Sequence, residues 1–261
     1  MLLSQDDIND LKNAKYLLES PGLAAKIVNT FGAPIEKGME YLPERWEKKV
    51  TSLSESALKS GLELAIHTLQ FKALQTQEYS NIFHKFCVAA SGSVGGAFGL
   101  STLALELPIT TTLMLRSIAD IAQSEGENLE DVESRLACLE VFALGGTQRA
   151  DDCSETGYYV IRASLSNAIA NASRYIVQTS IIDDTAPILL KLIANIASRF
   201  GVVVSEKMAA TALPIIGAAG GALINTLFMD HFQSMARGHF IVRRLERTYG
   251  QKIVQEAYEL L

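Results

Sequence analysis

The residues with the chemistry to act on a ligand are few and scattered. Four histidines occur, His67, His84, His231 and His239, and none sits in an HExxH or other tight ligand spacing. His231 and His239 are eight residues apart, about 80 degrees around an ideal helix, so the two share one broad face. Joined by Asp230, and by Glu106 or Glu140 from elsewhere in a helical core, they would make a candidate metal site. The plainer reading, which the loose spacing favours, is a pair of structural histidines satisfied by hydrogen bonds. No cofactor is expected.

A second grouping is acid-base in character. Glu106 and Arg116 flank Pro108 between apolar stretches, where ionised groups are costly unless paired. One outcome is a buried ion-pair network. The other is a polar cavity in which Glu106, Arg116, Glu140, Asn225 and His231 converge; Glu106, Arg116, Glu140 and His231 are then the candidate catalytic set of a hydrolase. Gly92-Ser93-Val94-Gly95-Gly96 lacks both the GxxxxGK[ST] and the GxGxxG order, and Ser93 lacks a GxSxG elbow, so close helix packing is the expectation there. Cys138 reads as a small core residue, and Cys153, beside Asp151 and Asp152, sits where a thiolate is disfavoured. The distinctly cationic stretch is Arg237, Arg243, Arg244, Arg247 and Lys252, interleaved with Phe240, Ile241 and Val242. It either touches anionic headgroups or a partner, or pairs with the acidic stretch Glu125, Glu127, Glu130, Asp131 and Glu133.

The elements that position these residues are helical. Ser4 and Asp7 mark a helix start before Ile8, Leu11 and Leu18, and Pro21-Gly22 end it. Pro34 and Pro43 break the next stretch into short pieces. Ser52 and Glu55 make a capping box ahead of Leu58, Leu62, Ala65, Ile66 and Leu69. Pro108 separates an apolar run from a stripe through Leu113, Ile118 and Ile121. Asn128 is the expected N-cap of the next helix, with Glu130 and Asp131 in its first turn. Ile161, Leu165, Ile169, Ala172 and Ile176 mark another helix, and Leu189, Ile193, Ile196 and Phe200 one more. Period-two stretches are few, so strands should be scarce. The expected fold is all-α, a single-domain bundle over 1–261 with two central glycine-rich apolar helices, from the charge-free runs 86–105 and 208–229.

Hydrophobic residues make up 48% of the chain and charged residues 20%, enough apolar content for a large core and too much for disorder. A net charge of -6 argues against nucleic acid as a partner, since phosphate binding needs a cationic field. Three well-separated cysteines without a CxxC pair fit a reducing compartment. The start, Met1-Leu2-Leu3-Ser4-Gln5-Asp6-Asp7, has no secretory pattern, and a cytoplasmic location is expected.

Glu106-Leu107-Pro108-Ile109-Thr110-Thr111, continuing through Arg116-Ser117-Ile118 to Glu125-Gly126-Glu127 and then Arg135 to Gly146, resembles the central signature of the bacterial EcsC family. Ile215-Ile216-Gly217-Ala218, Asn225, His231-Phe232-Gln233, Gly238-His239-Phe240 and Arg243-Arg244-Leu245-Glu246 resemble its C-terminal motif. The likeness covers the C-terminal two-thirds. The family is named after a component of an ABC transporter operon, and the resemblance implies family membership, not a mechanism; peptidase labels carried by some members have no motif behind them here.

Either charge-free run is long enough to span a bilayer. Against this, the first carries Ser91, Ser93, Ser101 and Thr102 and the second Pro214 and Asn225, and both prefer one orientation, which a two-span hairpin cannot satisfy. The expectation is therefore enclosed helices in a non-enzymatic, cytoplasmic accessory or regulatory protein. Its partners would be the inner face of the membrane or a membrane protein such as an ABC transporter. The alternatives are the hydrolase above and a carrier of an apolar ligand between helices.

Overall fold

The computed structural model describes residues 3–32, 35–40, 42, 46–66, 100–146, 157–179, 185–213 and 217–261. Among these are ten helices and no strand: α1 (Gln5–Glu19), α2 (Leu23–Phe31), α3 (Ile35–Met39), α4 (Trp46–Ile66), α5 (Leu100–Ser124), α6 (Val132–Leu144), α7 (Gly157–Gln178), α8 (Pro187–Ala212), α9 (Gly217–Tyr249) and α10 (Gln251–Leu260). The fold is the expected all-α bundle. Ser4 caps α1 by accepting from the Asp7 N–H, and the α1 stripe buries Leu11 and Ala14.

Two long helices organise the rest. The first, α9, packs against α1, α2, α5, α6, α8 and α10; the second, α8, packs against α2, α3, α4, α6, α7 and α9. Where α6, α8 and α9 meet, Phe142 lies 5.1 Å from Phe200 and 5.3 Å from Phe232, and Phe232 lies 5.3 Å from Phe228. These four fully buried rings each contribute about 1.5–3 kcal/mol of burial. Among the described residues α8 is long and apolar enough to cross a membrane by length and composition. It nevertheless carries Glu206 and Lys207 at buried positions, each paired within the fold.

Several boundaries differ from expectation. Helix α4 begins at Trp46, not at Ser52, because Trp46, Val50 and Leu53 extend its apolar stripe one and a half turns upstream. Pro108 does not separate two helices but lies inside α5; the carbonyl it leaves without an N–H is that of Ala104, an exposed residue that water can reach. Asn128 caps no helix. Its side-chain oxygen accepts from the Glu130 N–H in an Asx turn, so Glu130 and Asp131 precede α6. The run 208–229 is divided between the end of α8 and the start of α9, and that same α9 continues unbroken through Arg237, Arg243, Arg244 and Arg247 of the basic stretch, Lys252 falling in α10. It ends where Gly250, at φ 89, donates its N–H to the Glu246 carbonyl at 2.8 Å. Residues 86–99 of the first apolar run lie outside the described residues, as do Leu69, His67, His84, Cys87, Ser93, Arg149 to Cys153 and Pro214.

Candidate functional site

Helices α6 and α9 run antiparallel, and their seam holds the polar residues singled out above. At one end His231 donates from Nε2 to the Gly145 carbonyl at 2.8 Å. Only glycine allows that approach: a Cβ on residue 145 would lie 2.7 Å from His231 Nε2 and 2.9 Å from the Phe232 ring. Burial pulls the imidazole down to about 4, with the Gly145 bond opposing, so the ring is neutral.

Eight residues on, about 12 Å along the axis, His239 is fully buried. Its Nδ1 lies 3.0 Å from the Tyr158 hydroxyl of α7 and its Nε2 lies 3.8 Å from a carboxylate oxygen of Glu140 on α6. Burial pushes Glu140 up to about 7, with Arg162 and Arg243 opposing. Burial, reinforced by Arg162 and Arg243, holds His239 well below its ordinary value. With His239 held neutral the close pair is not an ion pair, whichever protonation state Glu140 takes around its raised value.

Next along α9, Glu246 accepts two parallel bonds from Arg162, at 2.7 and 2.9 Å, and a longer one from Tyr159. The guanidinium also lies over the Tyr158 and Tyr159 rings, 5.3 and 5.7 Å from their centroids. Arg243 binds Glu127 at 2.8 and 3.2 Å; Arg247 binds the same carboxylate, and Ser134 donates to it at 2.6 Å. Burial alone would raise Glu127, but the bonds from Arg243 and Ser134 and the two arginine charges hold it below its usual range. Arg244 reaches Glu125 at 2.8 Å and Asp10 at 2.6 Å, with Asp7 at 3.7 Å. The basic stretch therefore pairs with part of the acidic one, and with α1 besides. Arg237 is exposed on α9.

The candidate residues are dispersed among separate partners. Glu106 on α5 pairs with Lys207 of α8, whose ammonium lies 4.8 Å from the Phe228 ring centroid. Arg116 is half-buried further along α5 and Asn225 half-buried on α9. Glu140 meets His239, and His231 meets Gly145. The proposed metal set is not assembled either: Asp230 is exposed, the two histidines serve different contacts, and among the described residues no group of three His, Cys, Asp or Glu side chains could hold a metal. Cys138 is buried, and burial pushes its thiol far up.

Sequence reasoning missed Tyr158, Arg162, Glu206 and Lys207. Glu206, buried on α8, accepts from the Ala24 N–H at 3.2 Å, capping α2 from across the fold because Gly22 at its N-cap has no side chain. The available signal was charges set in apolar helical runs, the adjacent Glu206-Lys207 between Val204 and Leu213 and the lone Arg162 between Gly157 and Ser173.

The residues carrying the resemblance noted in the sequence come together in space. Ser117, Glu125, Glu127, Glu140 and Gly145 belong to the first block, and Gln233, Arg244, Arg243, His239 and His231 of the second meet them in that order. No curated protein and no solved structure matches the chain. The model of the EcsC protein family matches residues 5–245, well beyond the C-terminal two-thirds in which the likeness was visible, and the chain belongs to that family.

Proposed function

We propose that this EcsC-family protein is a non-enzymatic helical accessory or regulatory protein that works at the cytoplasmic face of a membrane, engaging the bilayer or a membrane protein such as an ABC transporter. The observation that carries the reading is the mutual pairing of the signature residues: four of the five pairs are hydrogen-bonded across the α5–α6–α9 seam, and in the fifth Glu140 faces His239 at 3.8 Å. Residues used in this way hold helices in register; a hydrolase would need Glu106, Glu140 and His231 gathered around a substrate.

The contact surface would be the exposed stripe of α9. Leu223 and Thr226 are exposed within its uncharged first turns, and exposed Arg237 lies about 40 degrees from Leu223 around the axis. An apolar contact flanked by a cation fits an anionic bilayer surface. Arg243, Arg244 and Arg247, held by carboxylates, contribute to this surface less than their number suggests.

Flotation of the purified protein with vesicles of phosphatidylcholine plus phosphatidylglycerol, against phosphatidylcholine alone, tests the reading. The expected result is greater recovery with the anionic vesicles, reduced in Leu223→Glu and in Arg237→Glu. Recovery no higher than an inert control's, unchanged by either substitution, would remove membrane engagement.

A further inference from the structure

Glu140, at the crossing of α6, α7 and α9, has 6% of its side chain exposed and His239 none. Around it stand His239, Arg243 and Glu246 on α9, Tyr158 and Arg162 on α7, and Glu133 on α6 itself. Level with Glu140 the other helices packed on α6 present apolar groups, Gly61 of α4 and Leu115 of α5 near Leu139 and Phe200 of α8 at Phe142, while Arg135, more than a turn away on α6, donates to the Ile66 carbonyl of α4. Glu106, Lys207 and Glu206 on α5 and α8 are engaged elsewhere. Two cations act on Glu140, and each is already committed, Arg243 to Glu127 and Arg162 to Glu246. Of the two carboxylates in the field of Arg162, Glu246 holds it in both hydrogen bonds while Glu140 has none from it.

We propose that Glu140, Arg162 and Glu246 form a proton-operated clasp. With Glu140 protonated, Arg162 serves Glu246 and locks α7 to α9; when Glu140 releases its proton to solvent, the new carboxylate competes for Arg162 and slackens that lock. A buried carboxylate cannot persist without a counter-charge, and Arg162, on the α7 face that already borders His239 through Tyr158, is the cation placed to turn. The release point follows from burial, which sets Glu140 to about 7, so the clasp would respond within the ordinary range of cytoplasmic pH. Movement of Arg162 would also disturb Tyr158 and Tyr159, which pack on Tyr258 of α10 at 5.8 and 5.3 Å, carrying the change to the last helix. This inference stands apart from the membrane reading, since it concerns the internal seam and not the exposed stripe.

Infrared spectroscopy of the intact protein tests it through the carbonyl stretch of a protonated carboxylic acid, titrated from about pH 6 to about pH 8, where ordinary carboxyls are all ionised. A band that bleaches near neutrality is expected, absent in Glu140→Gln. In Glu246→Gln, where Arg162 has no competing partner, its midpoint should fall by about one pH unit or more. A wild-type protein with no such band overturns the proposal even if neither variant folds. So does a band that persists in Glu140→Gln, or a midpoint that Glu246→Gln leaves in place.

Discussion

Acidification should expose the cost of keeping His231 neutral, and replacing it with glutamine isolates that cost. In the fold the ring titrates at about 4 against an ordinary 6.5. A depressed value means that the unfolded chain takes up the proton first. The contribution is therefore fully present above pH 6.5 and lost as the pH falls towards 4. The loss follows from 1.36 kcal/mol per unit and amounts to about 2 kcal/mol at pH 5 and about 3 kcal/mol at pH 4. His239, also depressed, adds in the same direction, while Glu140, whose value is raised, opposes it as the pH drops from about 7. The wild-type curve mixes all three, but a difference between proteins does not. In His231→Gln the side-chain amide retains a donor for the Gly145 carbonyl and cannot titrate. Urea unfolding of both proteins at pH 7 and pH 5 should show the variant gaining about 2 kcal/mol relative to wild type on acidification. A difference that stays constant between the two pH values would refute the reasoning, because it would mean that the ring is not held neutral by burial.

Glycines give two opposite expectations for the same substitution. A Cβ on Gly38 would lie 1.9 Å from the Ala209 carbonyl oxygen, so Gly38→Ala should cost about 3 kcal/mol by separating α3 from α8. Gly221→Ala, with nothing within 4 Å inside α9, should gain about 0.5–1 kcal/mol; thermal or urea unfolding reads both. Glu127→Gln leaves Arg243 without its carboxylate and should cost about 3 kcal/mol, little relieved by added salt because the lost carboxylate is buried. In a protein carrying Cys87→Ser and Cys153→Ser, Cys138 should resist a thiol reagent in native buffer and react fully in denaturant. Rapid native labelling would contradict its burial.

What the sequence disclosed was the periodic part. Stripes such as Ile161, Leu165, Ile169, Ala172 and Ile176 became buried faces, because a 3.6-residue repeat of apolar side chains has one economical packing. Local signals failed where a distant group overruled them. Pro108 reads as a stop, yet an exposed carbonyl one turn back lets the helix continue; Asn128 reads as a cap, yet its side chain closes a turn two residues on. The site was legible as residue types and not as partners. Glu106 looked towards Arg116 on its own helix, whereas its counter-charge, Lys207, is 101 positions away. Likewise Arg162 finds Glu246 across 84 positions. Such pairs are decided by which helices touch, and periodicity carries no information about that.

The seating of α1 on α9 bears on how the chain matures. Arg244 grips Asp10 across 234 positions, and Tyr249 donates to Asp7 across 242. At about 5–20 residues per second, the first helix therefore waits on the order of ten to fifty seconds after synthesis before its seat exists. Throughout that interval Leu11, Ala14 and Leu18 face water or a chaperone. A cell that shortens the wait, or shields those three side chains, should yield more folded protein than one that does neither.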